Sequence, residues 1–373
     1  MIFFFDENNR ISPHTIKKFE LISEYVKTWV QKLMNYPKCK GIVYIDCMSN
    51  SGVYYDEKDN EIEGTPIRVA NIISLTMKAY PEKQAFLFFN DIEQEKIDLL
   101  NYRLPGNTEN FHIQTSVMDG NQLLRNISSE FRQYKDMNFL LVYDPYQATI
   151  DWKAIAPFLR SWSEVIINHM VSDTIRAAKV AKRSATIEKY ESTYLTDIEN
   201  LVQFGSNKDA FENRIEQIIH VLSGRRGRRY YVAAFPFFNQ TNSVVYNLIH
   251  CTSSLEGFKL YKRTAWKVFG DKSSTKDTHG VEKQLVLDFF DDDGVGFTTP
   301  TDKYCYNLND IAVYIQNKYK GQRNVPLKQI WLLLDEHPVF PSDGYRLEIK
   351  NILKENYGAK ESKGAITFSD RRG

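Results

Sequence analysis

Apolar and polar positions alternate along the first 170 residues in a way that predicts strands separated by amphipathic helices. Apolar residues at helical spacing predict helices at 12–36, 65–80, 93–103, 119–134 and 151–161. Five short, nearly continuous apolar segments predict strands at 41–46, 85–91, 111–115, 138–144 and 164–168. Strands that are apolar on both faces and alternate with helices form a parallel sheet that helices cover on both sides.

The pattern changes after residue 170. Residues 173–223 are helical and charged, and two strands follow at 230–235 and 243–251, then a helix at 254–269. A hairpin that closes an otherwise parallel sheet is the arrangement of class I methyltransferases, in which the last strand is antiparallel. We therefore expect an α/β fold: a Rossmann-like class I methyltransferase sheet over residues 1–270, with a helical insertion at about 171–225.

The remaining residues predict a linker and a small second domain. Residues 271–306 are polar and rich in Gly and Asp, which is typical of a linker. Residues 307–373 carry three short helical patterns and then a strand pattern at 364–368. Two of these helices, at 326–334 and 342–357, resemble a helix-turn-helix, and the strand resembles a wing. We expect a winged-helix-like α+β domain over residues 307–373.

Composition excludes several classes of protein. The formal charge of the 373 residues is +1, so no overall basic field favours nucleic acid. The four cysteines lie far apart and no His or Cys has metal-ligand spacing, so we expect neither a disulfide framework nor a metal site. No apolar stretch is long enough for a signal peptide or a membrane span. A soluble protein of the cytoplasm without a membrane partner is the resulting expectation.

Polar residues end the first three predicted strands, where ligands of open α/β sheets bind. Asp46 ends the first strand and Asp91 ends the second, and four further positions are candidates. An S-adenosylmethionine (AdoMet) site needs an acid for the methionine ammonium and another for the ribose hydroxyls. Each residue taken alone is more often a turn former or a helix cap, so the ordered recurrence carries the prediction. The remaining candidate cofactor-binding residues are Asn50, Gly52, Asp119 and Asn121.

The fourth strand ends in Asp144-Pro145-Tyr146 and the fifth in Asn168. Methyltransferases that act on the amino groups of bases carry an Asp/Asn-Pro-Pro-Tyr/Phe turn at this position, where the acid accepts hydrogen bonds from the amine. The second proline is missing here, and a strand-ending turn with a packed tyrosine is an equal alternative. These four residues are the candidate catalytic group. A weaker alternative is a nuclease in which Asp46, Asp91 and Asp144 bind Mg²⁺.

The segment from Asp46 to Tyr54 resembles the D-x-F-A-G-P-G-x-Y motif of the three-Cys-motif partner (TcmP) family. Gly64-Thr65-Pro66 and the closing residues Arg371-Arg372-Gly373 are also similar to the family's pattern, and the resemblance covers most of the chain. It implies a methyltransferase-like fold and a partner that is a three-cysteine, radical-enzyme-like protein encoded nearby, often on mobile elements.

The chain also departs from the family pattern. Asn50-Ser51-Gly52 replaces Gly-Pro-Gly, and Gln147 stands where the family has Gly after the Asp-Pro-Tyr motif. Glycine permits positive φ and close backbone approach, although Asn tolerates positive φ better than most residues. These departures leave two functions open. One is an AdoMet-dependent methyltransferase for a nucleic-acid base or a partner-bound substrate, with an anti-phage defence system as one expected setting. The other is a catalytically degenerate scaffold subunit.

Two basic segments are candidate contacts for DNA or RNA. The first is a loop with Arg225, Arg226, Arg228 and Arg229, which could grip successive phosphates or be a solvated loop. The second is the helix predicted at 342–357, where Arg346, Lys350 and Lys354 recur every four residues on one face. Winged helices also dock proteins, so both kinds of partner stay open for this face.

Overall fold

The structure is a computed structural model that describes residues 9–145, 150–170, 187–188, 191–193, 230–239, 244–276 and 305–370. Most of the predicted insertion at about 171–225 lies outside these residues. So do Tyr146, Gln147, the arginine loop with Arg225, Arg226, Arg228 and Arg229, and the closing Arg371-Arg372-Gly373.

Nine strands belong to the described residues that precede residue 270. They are β1 (Gly41–Asp46), β2 (Val53–Tyr55), β3 (Glu61–Glu63), β4 (Gln84–Asp91), β5 (Phe111–Val117), β6 (Met137–Tyr143), β7 (Ser163–His169), β8 (Tyr231–Phe238) and β9 (Val244–Thr252). Seven of them form one sheet in the order β5-β4-β1-β6-β7-β9-β8. Strand β9 is antiparallel to both of its neighbours, and β1 and β4 to β7 are parallel.

This order confirms the predicted fold class, a mostly parallel sheet that an antiparallel hairpin closes. Strand β1 is buried at every position, which explains its continuous apolar sequence. Strands β2 and β3 pair as a separate hairpin that the sequence did not predict, since three-residue strands with few apolar positions give no periodic signal. Gly64 follows this hairpin because a Cβ atom there would lie 2.5 Å from the Tyr54 ring.

Among the residues that the structure describes before residue 270, six helices cover the sheet. They are α1 (Pro13–Met34), α2 (Thr65–Met77), α3 (Gln94–Arg103), α4 (Gly120–Ser129), α5 (Trp152–Ile155) and α6 (Leu255–Phe269). Helix α1 begins at the predicted Ser12-Pro13 pair and packs against α2 and α6. The helices predicted at 119–134 and 151–161 are shorter than expected, because each ends in a 3₁₀ turn, at Phe131–Tyr134 and Ala156–Phe158.

The C-terminal unit contains three helices and three short strands. In chain order they are α7 (Leu308–Tyr319), β10 (Val325–Pro326), α8 (Leu327–Glu336), α9 (Arg346–Tyr357), β11 (Lys360–Ser362) and β12 (Ala365–Thr367). The strands form an antiparallel sheet in the order β10-β12-β11. The three predicted helices and the predicted wing strand all have counterparts here. The winged-helix assignment itself stays a prediction.

The C-terminal unit packs on the sheet domain through α6, and residues of both units belong to one apolar core. Lys262 of α6 is fully buried, and its Nζ lies 2.6–3.0 Å from the carbonyl oxygens of Leu334, Asp335, His337 and Phe340. An amine at this position satisfies carbonyl groups that the end of α8 leaves without intrahelical partners. Lys262 therefore joins the two units.

The two ends of the predicted linker 271–306 meet. The Ser273 amide donates to the Tyr306 carbonyl at 2.9 Å, and the Tyr306 amide donates to Ser273 Oγ at 2.8 Å. Among the described helices, none combines the length and the hydropathy that crossing a bilayer requires.

Candidate functional site

A cavity of about 290 Å³ lies at the carboxyl ends of β1, β6 and β7. Helix α1, the turn after β1, the start of α2 and β9 supply its other walls. Five of the predicted site residues line it: Asp46, Asn50, Asp144, Pro145 and Asn168. The structure therefore brings together predicted cofactor and catalytic residues that are up to 122 positions apart in the sequence, from Asp46 to Asn168.

The turn after β1 has left-handed backbone at two positions, Asn50 (φ 57°) and Gly52 (φ 71°). This conformation explains why Asn, which tolerates positive φ, can stand where the TcmP pattern has Gly. Gly52 does not line the cavity; a Cβ atom there would lie 2.9 Å from side-chain carbons of Ile67 and Leu100. Its role in the structure is close packing of the turn.

Asp46 is the acid at the end of β1, and only 3% of the residue is exposed. Its Oδ1 accepts a long hydrogen bond of 3.4 Å from the Met48 amide. Burial, and next the nearby Asp144 carboxylate, raise the pKa of Asp46 to about 7. The Met48 amide, the Lys18 ammonium and the Ser49 hydroxyl act in the opposite direction. A buried carboxyl with this pKa would be stabilised in its ionised form by a bound cation.

Asp144 is held by two neighbours. Lys18 Nζ forms an ion pair with Asp144 Oδ2 at 2.6 Å, and Asn168 Nδ2 donates to Asp144 Oδ1 at 2.6 Å. Lys18 also lies over the Tyr246 ring, 5.4 Å from its centroid. Sequence reasoning did not single out Lys18, because a lysine on an amphipathic helix is usually solvated. Its neighbour at spacing four, the apolar Ile22, also lines the cavity and is the signal that this helix face is enclosed.

The side-chain oxygen of Asn168 has no hydrogen-bond partner among the described residues, although it is buried. The orientation of the amide is fixed, because the opposite orientation would place this oxygen against the Asp144 carboxylate. A buried acceptor without a partner costs about 1–3 kcal/mol. Asn168 therefore keeps one acceptor available for a group that carries an N–H or O–H, next to Asp144.

Three other predicted cofactor residues do not line the cavity. Asp91 is buried and accepts the backbone amides of Asn50 (3.0 Å) and Glu93 (3.1 Å). Asp119 is exposed and caps α4 by accepting from the Gln122 amide. A helix cap is the alternative that the sequence analysis gave for a residue of this type. Asn121 accepts from the Tyr143 hydroxyl at 3.1 Å. All three groups therefore have structural partners within the chain.

The described residues contain no group of three or more His, Cys, Asp or Glu side chains that could hold a metal ion. Asp46, Asp91 and Asp144, the acids of the nuclease alternative, are among the residues searched. The Asp91 carboxylate is committed to backbone amides, and Asp144 is paired with Lys18. The geometry of these acids thus gives the Mg²⁺-dependent nuclease no support.

The basic face of α9 is neutralised by its own chain. Lys350 and Lys354 form ion pairs with the two oxygens of Glu361 at 2.9 and 2.7 Å. Arg346 pairs with Asp343 at 2.9 Å and lies over the Trp331 ring. Hydrogen bonds from Lys354 and Lys350 hold the pKa of Glu361 below its usual value. A phosphate group on this face would have to compete with Glu361.

Sequence reasoning missed a buried polar cluster at the opposite edge of the sheet. Glu164 of β7 accepts from Tyr25, from Trp29 Nε1 at 3.1 Å and bonds His250 Nε2 at 2.7 Å. The His250 ring stacks on Tyr261. Glu164 was predicted only as a strand residue, and no local pattern marks it. The cluster is enclosed by α1, β9 and α6. Its hydrogen bonds and ring contacts therefore connect these elements to β7.

The cavity fits one end of AdoMet better than the other. A buried carboxyl at Asp46 that has the Met48 amide and the Ser49 hydroxyl as its hydrogen-bond donors, and no ion pair among the described residues, suits the ammonium group of the methionine end. The second acid, Asp91, is 1% exposed and already bonded to two amides, so it offers little to ribose hydroxyls in this geometry. The next residue, Ile92, follows the end of β4 and is 65% exposed, so an apolar side chain lies at the surface beside Asp91.

The strand order defines the chain as one with a class I methyltransferase fold. No protein-family model and no curated protein matches its sequence. Solved structures with some likeness include a Legionella pneumophila protein described as DUF519 (TM-score 0.39, 11% identity, 67% of this chain and 92% of that chain covered). Human methyltransferase-like protein 13 with SAH gives a TM-score of 0.30 at 8% identity, covering 75% of this chain and 97% of that one.

A loganic acid methyltransferase with SAH gives a TM-score of 0.28 at 10% identity, covering 69% of this chain and 83% of that one. At TM-scores this low the three likenesses carry no argument about fold or activity. The fold class rests on the strand order and register of the sheet.

Proposed function

We propose that the chain is an AdoMet-dependent methyltransferase whose acceptor is an amine. The observation that carries this proposal is one cavity, at the carboxyl ends of β1, β6 and β7, that joins the Asp46 carboxyl to the Asp144–Asn168 pair. One carboxyl suits a cationic amino group, and the other pair suits an N–H donor. Both lie at the edge of the sheet where ligands of this fold class bind.

In this proposal the Asp46 carboxylate binds the ammonium group of AdoMet, and Asn50 shapes the turn beside it. AdoMet supplies an electrophilic methyl group when it is bound. The Asn168 oxygen accepts one N–H of the acceptor amine. Asp144, held by Lys18 and Asn168, accepts a second hydrogen bond, and the Pro145 carbonyl is the remaining candidate acceptor. An amine with two N–H groups satisfies this set, whereas a carboxylate acceptor would be repelled by Asp144.

Two sources of such an amine agree with the sequence. The exocyclic amino group of a nucleic-acid base is the first, supported by the Asp144-Pro145-Tyr146 sequence, in which the ring of Tyr146 would stack on the base. A substrate bound by a protein partner is the second, and the TcmP resemblance supports a three-cysteine protein encoded nearby, in a mobile-element or anti-phage defence system. We expect a cytoplasmic location, which suits the four buried free cysteines.

A catalytically degenerate scaffold is the second candidate function. The observation that favours it is Asp91, whose two carboxylate oxygens accept the amides of Asn50 and Glu93. In a scaffold the carboxyl edge of the sheet would bind the partner protein rather than a cofactor. Co-purification with a neighbouring gene product, together with no affinity for AdoMet, would favour this function.

Transfer of a labelled methyl group from AdoMet tests the enzyme directly. DNA, RNA and a co-expressed neighbouring protein are offered as acceptors, and the modified atom is identified by mass spectrometry. At about pH 8, where Asp46 is ionised, we expect Asp144→Ala to abolish transfer and to leave AdoMet affinity nearly unchanged, because Asp144 faces the acceptor. The control is Asp98→Ala on the exposed side of α3. Methylation of oxygen or carbon would contradict the assignment of an amine acceptor. A loss of AdoMet affinity in Asp144→Ala as large as that in Asp46→Ala would contradict the role of Asp144 in binding the acceptor.

A further inference from the structure

A second cavity, of about 470 Å³, lies at the opposite edge of the sheet, where the chain enters β6 and β7. The 3₁₀ turn at Phe131–Tyr134 and the loop before β7 form its walls. Strand β6 is seven residues long, so this cavity is about 20 Å from the first cavity, which lies at the other end of the strand and is the methyltransferase cavity of the proposal. Nothing in the proposed methyl transfer uses it.

Three cations line this cavity: Arg132, Lys135 and Arg160. None of them forms an ion pair within the described residues, whereas the cations of α9 are all paired. Among the described residues that line the cavity, Asp136 is the one acid, so the local formal charge is +2. An unneutralised cluster of this kind suits an anionic ligand, and arginine matches phosphate oxygens bidentately.

Aromatic rings accompany the cations. The Arg160 guanidinium lies 4.3 Å from the centroid of the Phe131 ring, which fixes its position without using an acid. Trp162 is 37% exposed on the cavity wall, and its ring lies 5.9 Å from the exposed ring of Tyr36. Cations beside exposed rings are what proteins use to bind phosphates and stack bases at once.

Trp162 also has strained backbone. Its φ of 65° lies in the left-handed region, which a bulky residue rarely adopts. The neighbouring sheet holds it there, since the Phe139 amide donates to the Trp162 carbonyl at 2.8 Å. Glycine would adopt this backbone conformation without strain. Strained residues of this kind concentrate at ligand sites. Residue 162 thus carries a large, surface-exposed ring although its backbone conformation disfavours a bulky side chain.

We infer that the loops entering β6 and β7 bind a nucleoside phosphate, with its base stacked on Trp162 and its phosphate paired with Arg132, Lys135 and Arg160. A free nucleotide and a single-stranded nucleic acid both present this unit. The site is independent of the methyltransferase cavity, so its test does not depend on AdoMet binding.

Tryptophan fluorescence reads this site selectively. Of the five tryptophans, Trp29, Trp152, Trp266 and Trp331 are at most 9% exposed, so Trp162 is the one that a stacked base can reach. Three probes are titrated into the full chain at low salt: a short oligothymidylate, ADP and inorganic phosphate. We expect quenching by the oligothymidylate, by ADP or by both. Quenching by ADP indicates a free-nucleotide site, and quenching by the oligothymidylate alone indicates a strand site.

Variants locate the binding. Trp162→Gly suits the backbone, keeps the fold and removes the ring, so affinity should fall about five- to a hundredfold. Trp162→Phe should retain binding by calorimetry but lose the quenching. Arg132→Glu with Lys135→Glu should lower the slope of log affinity against log salt by about 1.4, at about 0.7 for each lost phosphate contact of a single strand. The matched control, Lys58→Glu with Lys153→Glu, makes the same charge change at two exposed positions elsewhere.

Three results would overturn the inference. One is the absence of quenching by the oligothymidylate and by ADP. Another is binding of inorganic phosphate that is as tight as binding of the oligothymidylate and of ADP, which would mean that the base contributes nothing to affinity. The third is equal loss of affinity in the control pair, which would place the binding elsewhere on the surface.

Discussion

Lys18 and Lys262 are two lysines on helices of one domain, the first partly buried and the second fully buried, and their surroundings differ. Lys262 Nζ has four carbonyl oxygens within hydrogen-bonding distance and is 0% exposed. Lys18 Nζ has one carboxylate partner, Asp144, and otherwise faces aromatic rings and a cavity. A saturated amine holds parts of the fold together, whereas an amine with unused N–H groups in a cavity can exchange partners with a ligand.

The same distinction separates the charged groups of the whole molecule. The lysines of α9 share Glu361, and Asp91 is bound to amides of its own loop. The buried carboxyl of Asp46 accepts a long hydrogen bond from the Met48 amide and is also approached by the Ser49 hydroxyl, and neither is a cation. The Asn168 oxygen has no hydrogen-bond partner among the described residues. Incomplete pairing, rather than the presence of charge, marks the candidate site. Each prediction below changes one side of this comparison.

The largest effect is expected for Lys262→Met. The substitution keeps the apolar stem and removes the group that bonds to carbonyls at the end of α8, leaving buried acceptors without partners. At about 1–3 kcal/mol for each unsatisfied group, we expect a loss of several kcal/mol in the free energy of unfolding, measured by urea denaturation. Lys267→Met, at an exposed position of α6, is the control. Equal stability of the two variants would mean that Lys262 does not join the units.

The next effect is a pH dependence of AdoMet affinity, measured by calorimetry between about pH 6 and 8. Asp46 has a pKa of about 7, and only its ionised form binds a cation, so affinity should fall up to tenfold per pH unit below that value. The effect on folding has the opposite sign. Because the folded pKa is raised, the contribution of Asp46 to stability decreases as pH rises from about 4 to about 7.

Lys18→Met sharpens this measurement. The Lys18 charge lowers the pKa of Asp46, so its removal should move the midpoint of the pH profile above 7. Stability should change by about 1 kcal/mol or less, since the Lys18–Asp144 pair is partly exposed. Lys27→Met, on the exposed side of the same helix, should leave the midpoint in place. An unchanged midpoint in Lys18→Met would show that Lys18 does not act on Asp46.

The sequence predicted the sheet well because buried parallel strands are continuous apolar runs that end at recognisable polar residues. It therefore placed Asp46, Asp144 and Asn168 at one edge. It could not separate Asp91 from Asp46, because both end a strand and only tertiary contacts decide which oxygens stay available. Lys18 was missed for the same reason, since its partner is 126 positions away.

The smallest effect is expected for Glu361→Gln, which releases Lys350 and Lys354. Exposed ion pairs contribute little, so stability should fall by about 0–1 kcal/mol. If α9 faces nucleic acid, duplex-DNA affinity should rise, and its slope against log salt should steepen by up to about 0.9 for each released lysine. We expect this gain in a filter-binding titration at two salt concentrations. Unchanged affinity would remove α9 as a nucleic-acid surface and favour protein docking.

Calorimetric titration of S-adenosylhomocysteine tests the central claim, that the incompletely paired carboxyl of Asp46 binds the cationic amino group of the cofactor. The wild-type chain is compared with Asp46→Asn and with Asp98→Asn, an exposed control on α3. We predict wild-type binding tighter than about 1 mM, a loss of about ten- to a hundredfold in Asp46→Asn, and no change in Asp98→Asn. Absence of wild-type binding, or an Asp46→Asn variant that binds as tightly as the control, would contradict the account.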